Sequence, residues 1–160
     1  MADNVLWVLQ RECRRGKVLY FAHDEHVSAD LGILGSPGKP PAGQYRQIRG
    51  AGNYLRSALG ADLFVIGTYF GHREGFAAKD SPPFPAHDVE DLLASLSLPR
   101  FIINLHELPM SGPLHDWFQT AHATRPSILR DATDTVTPVA AYDAIFYVDT
   151  ITPSPSPPIP

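Results

Sequence analysis

Four short apolar runs, separated by stretches of helical periodicity, constrain this chain more than anything else in its sequence. They are Lys17-Val-Leu-Tyr-Phe-Ala22, Leu63-Phe-Val-Ile-Gly-Thr-Tyr-Phe70, Phe101-Ile-Ile-Asn-Leu105 and Ala144-Ile-Phe-Tyr-Val148. Strands buried on both faces of a parallel sheet read as near-continuous runs of this kind. Around them the apolar residues recur every three or four positions, which is the signature of amphipathic helices. One such helix runs from Asp3, a candidate cap, to about Cys13. A second covers Gln44 to Leu59 through Tyr45, Ile48, Gly52, Leu55 and Leu59, and Gly60 ends it. A third follows an Asp88 cap with Val89, Leu92, Leu93 and Leu96, and a short one is marked by Leu114, Trp117 and Phe118.

Strand, helix, strand in this order predicts a right-handed crossover and a parallel pair. The expectation is an α/β fold with a mainly parallel sheet of about four strands and flanking helices. Those helices are too few to cover both faces of such a sheet. An uncovered apolar face, an incomplete domain and self-association through that face are therefore expected. Gly50-Ala-Gly52 inside the second helix reads as a site of close packing.

The chain has 160 residues and a formal charge of -4. The length suits one domain, and the acidic balance argues against a nucleic-acid partner. No run approaches the ~18 apolar residues of a membrane helix, so no membrane partner is expected. Cys13 is the only cysteine, which excludes an internal disulfide and a multi-cysteine zinc site. The opening residues carry no basic segment followed by a continuous apolar core, so they do not read as a signal peptide, and a cytoplasmic location is expected. Prolines cluster at 37–41, 82–85 and 153–160. Residues 27–43 and 71–87 read as long loops, and 153–160 as an extended or disordered tail.

Searches for a nucleophile fail. There is no G-x-S-x-G, and Ser36 sits in Gly-Ser-Pro-Gly without the flanking pattern. Cys13 reads as a small hydrophobe. No phosphate loop or dinucleotide motif occurs, and no cofactor is expected. Arg14, Arg15 and Lys17 suit a solvated helix end better than a phosphate site.

The histidines are more informative. His23, His72 and His106 each follow a predicted strand closely. If those strands are parallel, the three crowd the carboxyl edge, where ligands of open α/β sheets bind. A single histidine is more often a surface or satisfied core residue, but His23 opens the dense polar run His23-Asp24-Glu25-His26. That run could ligate a metal, although the histidines are three apart and not four as in the helical zinc motif. It could equally do acid–base work, with a carboxylate orienting an imidazole.

Several segments resemble the erythromycin esterase family. They are Val18-Leu-Tyr-Phe-Ala-His-Asp-Glu-His26, Gly52-Asn-Tyr-Leu-Arg-Ser-Ala-Leu-Gly60 and Val65-Ile-Gly-Thr-Tyr-Phe-Gly71, followed by Phe101–Leu105 and Tyr142–Pro153. Members carry an apolar strand ending in A-H-N-x-H, a helix ending in L-G and a strand I-G-x-x-F-G, in this order. The resemblance implies hydrolysis of a carboxylic ester or macrolide lactone by histidine-activated water, without a metal. It implies that residues 1–152 are the later part of a longer α/β domain, with Met1 an internal methionine. The preceding half, with a general base and a glutamate near G-E-x-x-H, would be absent here.

On that resemblance His23 is the catalytic candidate, binding or polarising the ester oxygen, and His26 matches the second histidine of the motif. His26 and His72 are the candidate substrate-binding residues. Asp24 replaces the usual asparagine, and Asn104-Leu-His106 replaces a frequent D-L-R. Two other readings remain open: a binding or regulatory module that kept the fold without the chemistry, and a small histidine-rich metal protein.

Overall fold

The computed structural model describes residues 1–12, 15–30, 32–34, 46–75, 89–124 and 135–153. After helix α1 (Ala2–Glu12) the next element is a single helical turn, α2 (Asp24–Val27). Strands β1 (Gly32–Leu34) and β2 (Arg46–Ile48) precede helix α3 (Ala51–Leu59), and β3 (Ile66–Arg73) comes next. Then follow α4 (Val89–Ser95), β4 (Arg100–Asn104), α5 (Pro113–Phe118), β5 (His122–Ala123), β6 (Thr135–Val136), α6 (Pro138–Ala141) and β7 (Ala144–Ile151). The main sheet has the order β3-β7-β4, and β2-β1-β6-β5 form a small antiparallel sheet.

The fold is mixed α/β, as expected, but only one pair of the main sheet is parallel. β3 runs parallel to β7, whereas β4 runs antiparallel to it. The third predicted strand is thus reversed. Its exposure alternates from Arg100 to Ile103, the pattern of an antiparallel strand with one open face.

The first predicted strand is absent. Lys17–Ala22 forms neither helix nor strand, and among the described residues no strand pairs with it and none of its backbone groups enters a backbone hydrogen bond. Its side chains still alternate: Leu19 and Phe21 are 91% and 89% exposed, while Val18, Tyr20 and Ala22 are half-buried. An apolar run specifies a strand only where a neighbouring strand can pair with it. The predicted crossover from this run to β3 falls with it, and the parallel partner of β3 is the last strand of the chain.

The predicted helix 44–59 starts late. Arg46–Ile48 pairs instead with Gly32–Leu34, and the helix proper opens at Ala51. It ends at Gly60, whose φ of +53° suits glycine. Helices α1, α4 and α5 match their expected positions, although Asp3 lies in the first turn of α1 and does not cap it. Cys13, Arg14, the Asp88 cap, Ser36, the tail 154–160 and most of the loops 27–43 and 71–87 lie outside the described residues.

One face of the main sheet is covered. Tyr69, Ile145 and Tyr147 project from it into a core with Val89 and Leu93 of α4 and Phe118 of α5. Phe101 stacks on Tyr147 with ring centroids 4.9 Å apart, and Tyr142 meets Tyr69 edge-on at 6.1 Å. Gly67 makes room for the Tyr142 ring, which a Cβ there would approach to 2.8 Å.

Among the described residues the opposite face is open, as the sequence leads one to expect. Ile102 is 64% and Ile66 46% exposed, with Phe146 and Val148 half-buried beside them. Each large apolar side chain left in water forgoes about 1.5–3 kcal/mol of burial.

The packing role of Gly50-Ala-Gly52 holds. A Cβ on Gly52 would overlap the Val27 carbonyl oxygen, and one on Gly50 would meet the Glu25 oxygen at 2.5 Å. Asn53 Nδ2 donates to the Ala29 carbonyl at 2.9 Å. These contacts seat α2 on the start of α3. Because backbone cannot yield as a side chain does, Gly52→Ala should destabilise the fold by about 2 kcal/mol or more. Thermal melts of the two proteins check this, and an unchanged midpoint would contradict the close contact.

Candidate functional site: the histidine turn and the edge of the sheet

His23 caps the one-turn helix α2. Its Nδ1 accepts the Glu25 N–H at 3.3 Å. In the neutral ring the proton then resides on Nε2, and the exposed ring turns a donor to solvent. The side chain that follows it fastens the turn to the sheet. The Asp24 carboxylate accepts the Thr68 N–H at 3.1 Å and the Thr68 hydroxyl at 3.1 Å. Thr68 lies on β3, with its N–H pointing away from β7, so Asp24 occupies the edge of the strand opposite β7.

Burial pushes the Asp24 carboxyl up from its ordinary value, and the two Thr68 bonds and neighbouring His23 offset this in part. The role at position 24 is that of an acceptor, and an aspartate or an asparagine side chain can take the Thr68 N–H. Glu25 is half-buried in the same turn, and His26 is exposed in its last position.

The predicted crowding of three histidines at one sheet edge does not occur. His23 follows an unpaired segment, not a strand end. His72 is within β3, opposite Thr150 near the carboxyl end of that strand. It shares the open face with Thr68, four residues and ~13 Å away along the strand. His72 Nε2 lies 3.8 Å from Asp149 Oδ1, to which the Tyr147 hydroxyl donates at 3.3 Å. His106 follows β4, whose reversed direction carries it to the other end of the sheet, where Asn104 pairs with Ala144. The turn at 23–26 thus stands beside the middle of β3, with His72 and His106 towards opposite ends.

Sequence reasoning missed the group that assembles this region, Asp143. Its buried carboxylate accepts the Val65 N–H at 2.6 Å and pairs with Arg56 of α3. Its other oxygen takes the His106 Nε2 at 2.9 Å. Arg56 also donates to the Gly60 and Leu63 carbonyls at 3.1 and 2.8 Å. Burial alone raises the Asp143 carboxyl, but the Val65 N–H, Arg56 and His106 outweigh it and hold it below its usual value. The available signal was an ionisable residue directly before an apolar strand, with a lone arginine in the helix preceding another. Among the described residues, no three His, Cys, Asp or Glu side chains are grouped to hold a metal. The metal reading of residues 23–26 therefore gains no support from the geometry.

The two aspartates should respond to pH with opposite sign. Asp143 has a depressed native value. It adds stability that is complete above the unfolded carboxylate value, about 4, and is lost as pH falls through its own lower value. Asp24 has a raised native value. Its charge costs stability above that value, and the cost vanishes as pH falls below about 4. Asp143→Ala should cost about 3 kcal/mol at pH 7 by leaving buried donors and Arg56 without their acceptor. Asp24→Asn should raise the melting midpoint at pH 7, a gain that shrinks to nothing below about pH 4. Melts from pH 3 to 7 read both signs, and a stabilising Asp143→Ala would refute the assignment.

Among solved structures, a Bacillus cereus protein of 19% identity superimposes with a TM-score of 0.70, over 96% of this chain and 37% of its own. A succinoglycan biosynthesis protein of 17% identity gives a TM-score of 0.67, over 95% of this chain and 37% of its own. At these identities the likeness is one of fold, and the chain spans little more than a third of either structure. Comparison with curated protein sequences gives no match. The family model described as erythromycin esterase matches residues 1–151. The chain belongs to the erythromycin esterase family.

Proposed function

We propose that this chain is the later portion of an erythromycin-esterase-like hydrolase, acting on a small carboxylic ester or lactone in the cytoplasm. The observation that carries the reading is the His23 cap. With Nδ1 engaged by Glu25 N–H, the ring offers a fixed, exposed Nε2–H donor. Such a donor suits the oxygen on which negative charge develops when water attacks an ester carbonyl. The attacking water needs a general base, which this reading assigns to a part of the family fold that precedes this one.

In this reading His23 binds and polarises the ester oxygen. His26, one turn on, and His72, on the open face of β3, contact the rest of the substrate. Asp24 acts through Thr68 as a positioning residue, holding the histidine turn against the sheet edge. Neither step calls for a metal or cofactor. The replacement of the family's D-L-R by Asn104-Leu-His106 favours a second reading, a binding module of the same fold without turnover.

The test restores a family portion bearing G-E-x-x-H to this chain and assays cyclic and linear esters. The chain alone should give no enzymatic turnover. The restored protein should hydrolyse one class of ester, and His23→Ala should lower kcat by a factor of about 100 with the melting midpoint nearly unchanged. Full activity in His23→Ala, with loss in His26→Ala, would show that the wrong histidine carries the role. No turnover of any ester, with retained ligand binding, would favour the binding module.

A further inference from the structure

β4 is the last strand of the main sheet, and its outer side carries no neighbouring strand among the described residues. The backbone alternation is fixed at both ends of the strand: Asp149 N–H donates to Pro99 O, and Leu105 N–H to Asp143 O. Phe101 and Ile103 therefore face β7, and Arg100, Ile102 and Asn104 turn their backbone groups outward. The same three residues stand on the open face of the sheet, where Ile102 is 64% exposed beside Phe146. The opposite edge is different, because the Asp24 carboxylate already holds the Thr68 N–H of β3.

Opposite charges mark the two ends of this edge. Arg100 opens the strand, is exposed and makes no ion pair among the described residues. At the other end Asn104 Nδ2 donates to Glu107 Oε1 at 2.8 Å, which holds an exposed carboxylate beside the last residue of the strand.

We propose that two copies of this chain pair through β4, antiparallel and centred on Ile102, so that one sheet of order β3-β7-β4-β4-β7-β3 runs through the dimer. The edge is complementary to itself. A two-fold axis perpendicular to the sheet pairs a strand antiparallel with its own copy, and centring it on Ile102 uses the whole strand. Ile102 then exchanges N–H and C=O with Ile102 of the second copy, and the Asn104 N–H of each meets the Arg100 carbonyl of the other. In this register Arg100 stands opposite Asn104 of the second copy, about 5.5 Å apart between Cα atoms. That brings the guanidinium within reach of the Glu107 carboxylate, and the axis repeats the contact on the other side. The two Ile102 side chains meet on the open face and, with Phe146 beside each, continue its apolar strip across the join.

Other occupants match less of what the edge offers. A strand of unrelated sequence satisfies the backbone groups but not the charges at both ends. A lipid surface takes the apolar side chains and offers the backbone no partner. The segment Arg100-Phe-Ile-Ile-Asn104 itself carries no proline to discourage pairing.

Sedimentation equilibrium of the full chain should show a monomer–dimer equilibrium, with exchange of the Ile102 and Asn104 amides slowed at least tenfold in concentrated protein relative to dilute. Ile102→Lys should weaken the dimer at least tenfold, as should Arg100→Glu and Glu107→Lys singly, since each sets like charges against each other across the axis. The double variant, Arg100→Glu with Glu107→Lys, should regain the dimer, because the swap restores opposite charges. All three positions are exposed, and circular dichroism checks the fold of each variant. If a variant fails that check, the exchange measurement on the unaltered protein decides.

A chain that stays monomeric at millimolar concentration would overturn the proposal. A dimer whose Ile102 and Asn104 amides exchange as fast as in the monomer, or one indifferent to every substitution, would do the same. Protection of these amides already in the dilute monomer would overturn it by making another segment of the same chain the occupant of the edge. Failure of the double variant to dimerise, with both single variants monomeric, would refute the register.

Discussion

The carboxylate of Asp143 is the constraint on which the rest of the main sheet depends. It joins three segments far apart in sequence: the end of α3 through Arg56, the entry to β3 through Val65 and the turn after β4 through His106. The adjacent backbone repeats the connection, since Asp143 N–H donates to Val65 O and Leu105 N–H to Asp143 O. The parallel β3–β7 register and the antiparallel β7–β4 register therefore start from one residue. A buried carboxylate is costly unless its oxygens are filled, and here Val65, Arg56 and His106 fill them. Without it, three strand and helix ends would lose their common origin.

From that origin the sheet sets where the histidine turn can stand. β3 leaves Val65 with its covered face on Tyr142 and Tyr147, and its Thr68 N–H points outward. The outward N–H receives Asp24, and Gly50 and Gly52 bring α3 close enough to hold the turn from the other side. His23 is thus positioned by its neighbours in the chain and by two elements of the fold. Its own ring contributes only the cap on Glu25.

Local pattern carried the sequence reading a long way where an element is stabilised by its own residues. Helices α1, α4 and α5, the Gly60 stop and strand β7 were legible from spacing and apolar runs. Reading failed where a partner decides. Lys17–Ala22 has the composition of a buried strand, but nothing in the described fold pairs with it. Arg46–Ile48 continues a helical period, yet it is drawn into pairing with Gly32–Leu34. The direction of β4 could not be read from residues 101–105, because parallel and antiparallel strands of that length share the same apolar content. The error at β4 moved His106 to the wrong end of the sheet, and with it the supposed cluster of three histidines. At the site itself, His23 and Asp24 were visible as a polar run, while Asp143 and Arg56 lie 87 residues apart and no local pattern links them.

The bond from Asp24 to Thr68 has a consequence for assembly. A strand at the rim of a sheet can template the addition of further chains through its outward N–H and C=O groups. On β3 the central outward N–H is occupied by a carboxylate, whose negative charge repels an approaching carbonyl oxygen. That rim is therefore closed to lateral growth at its midpoint. The same contact that seats the histidine turn thus guards the edge of β3 at Thr68, and a residue without an acceptor oxygen at position 24 would leave that N–H open to a new partner.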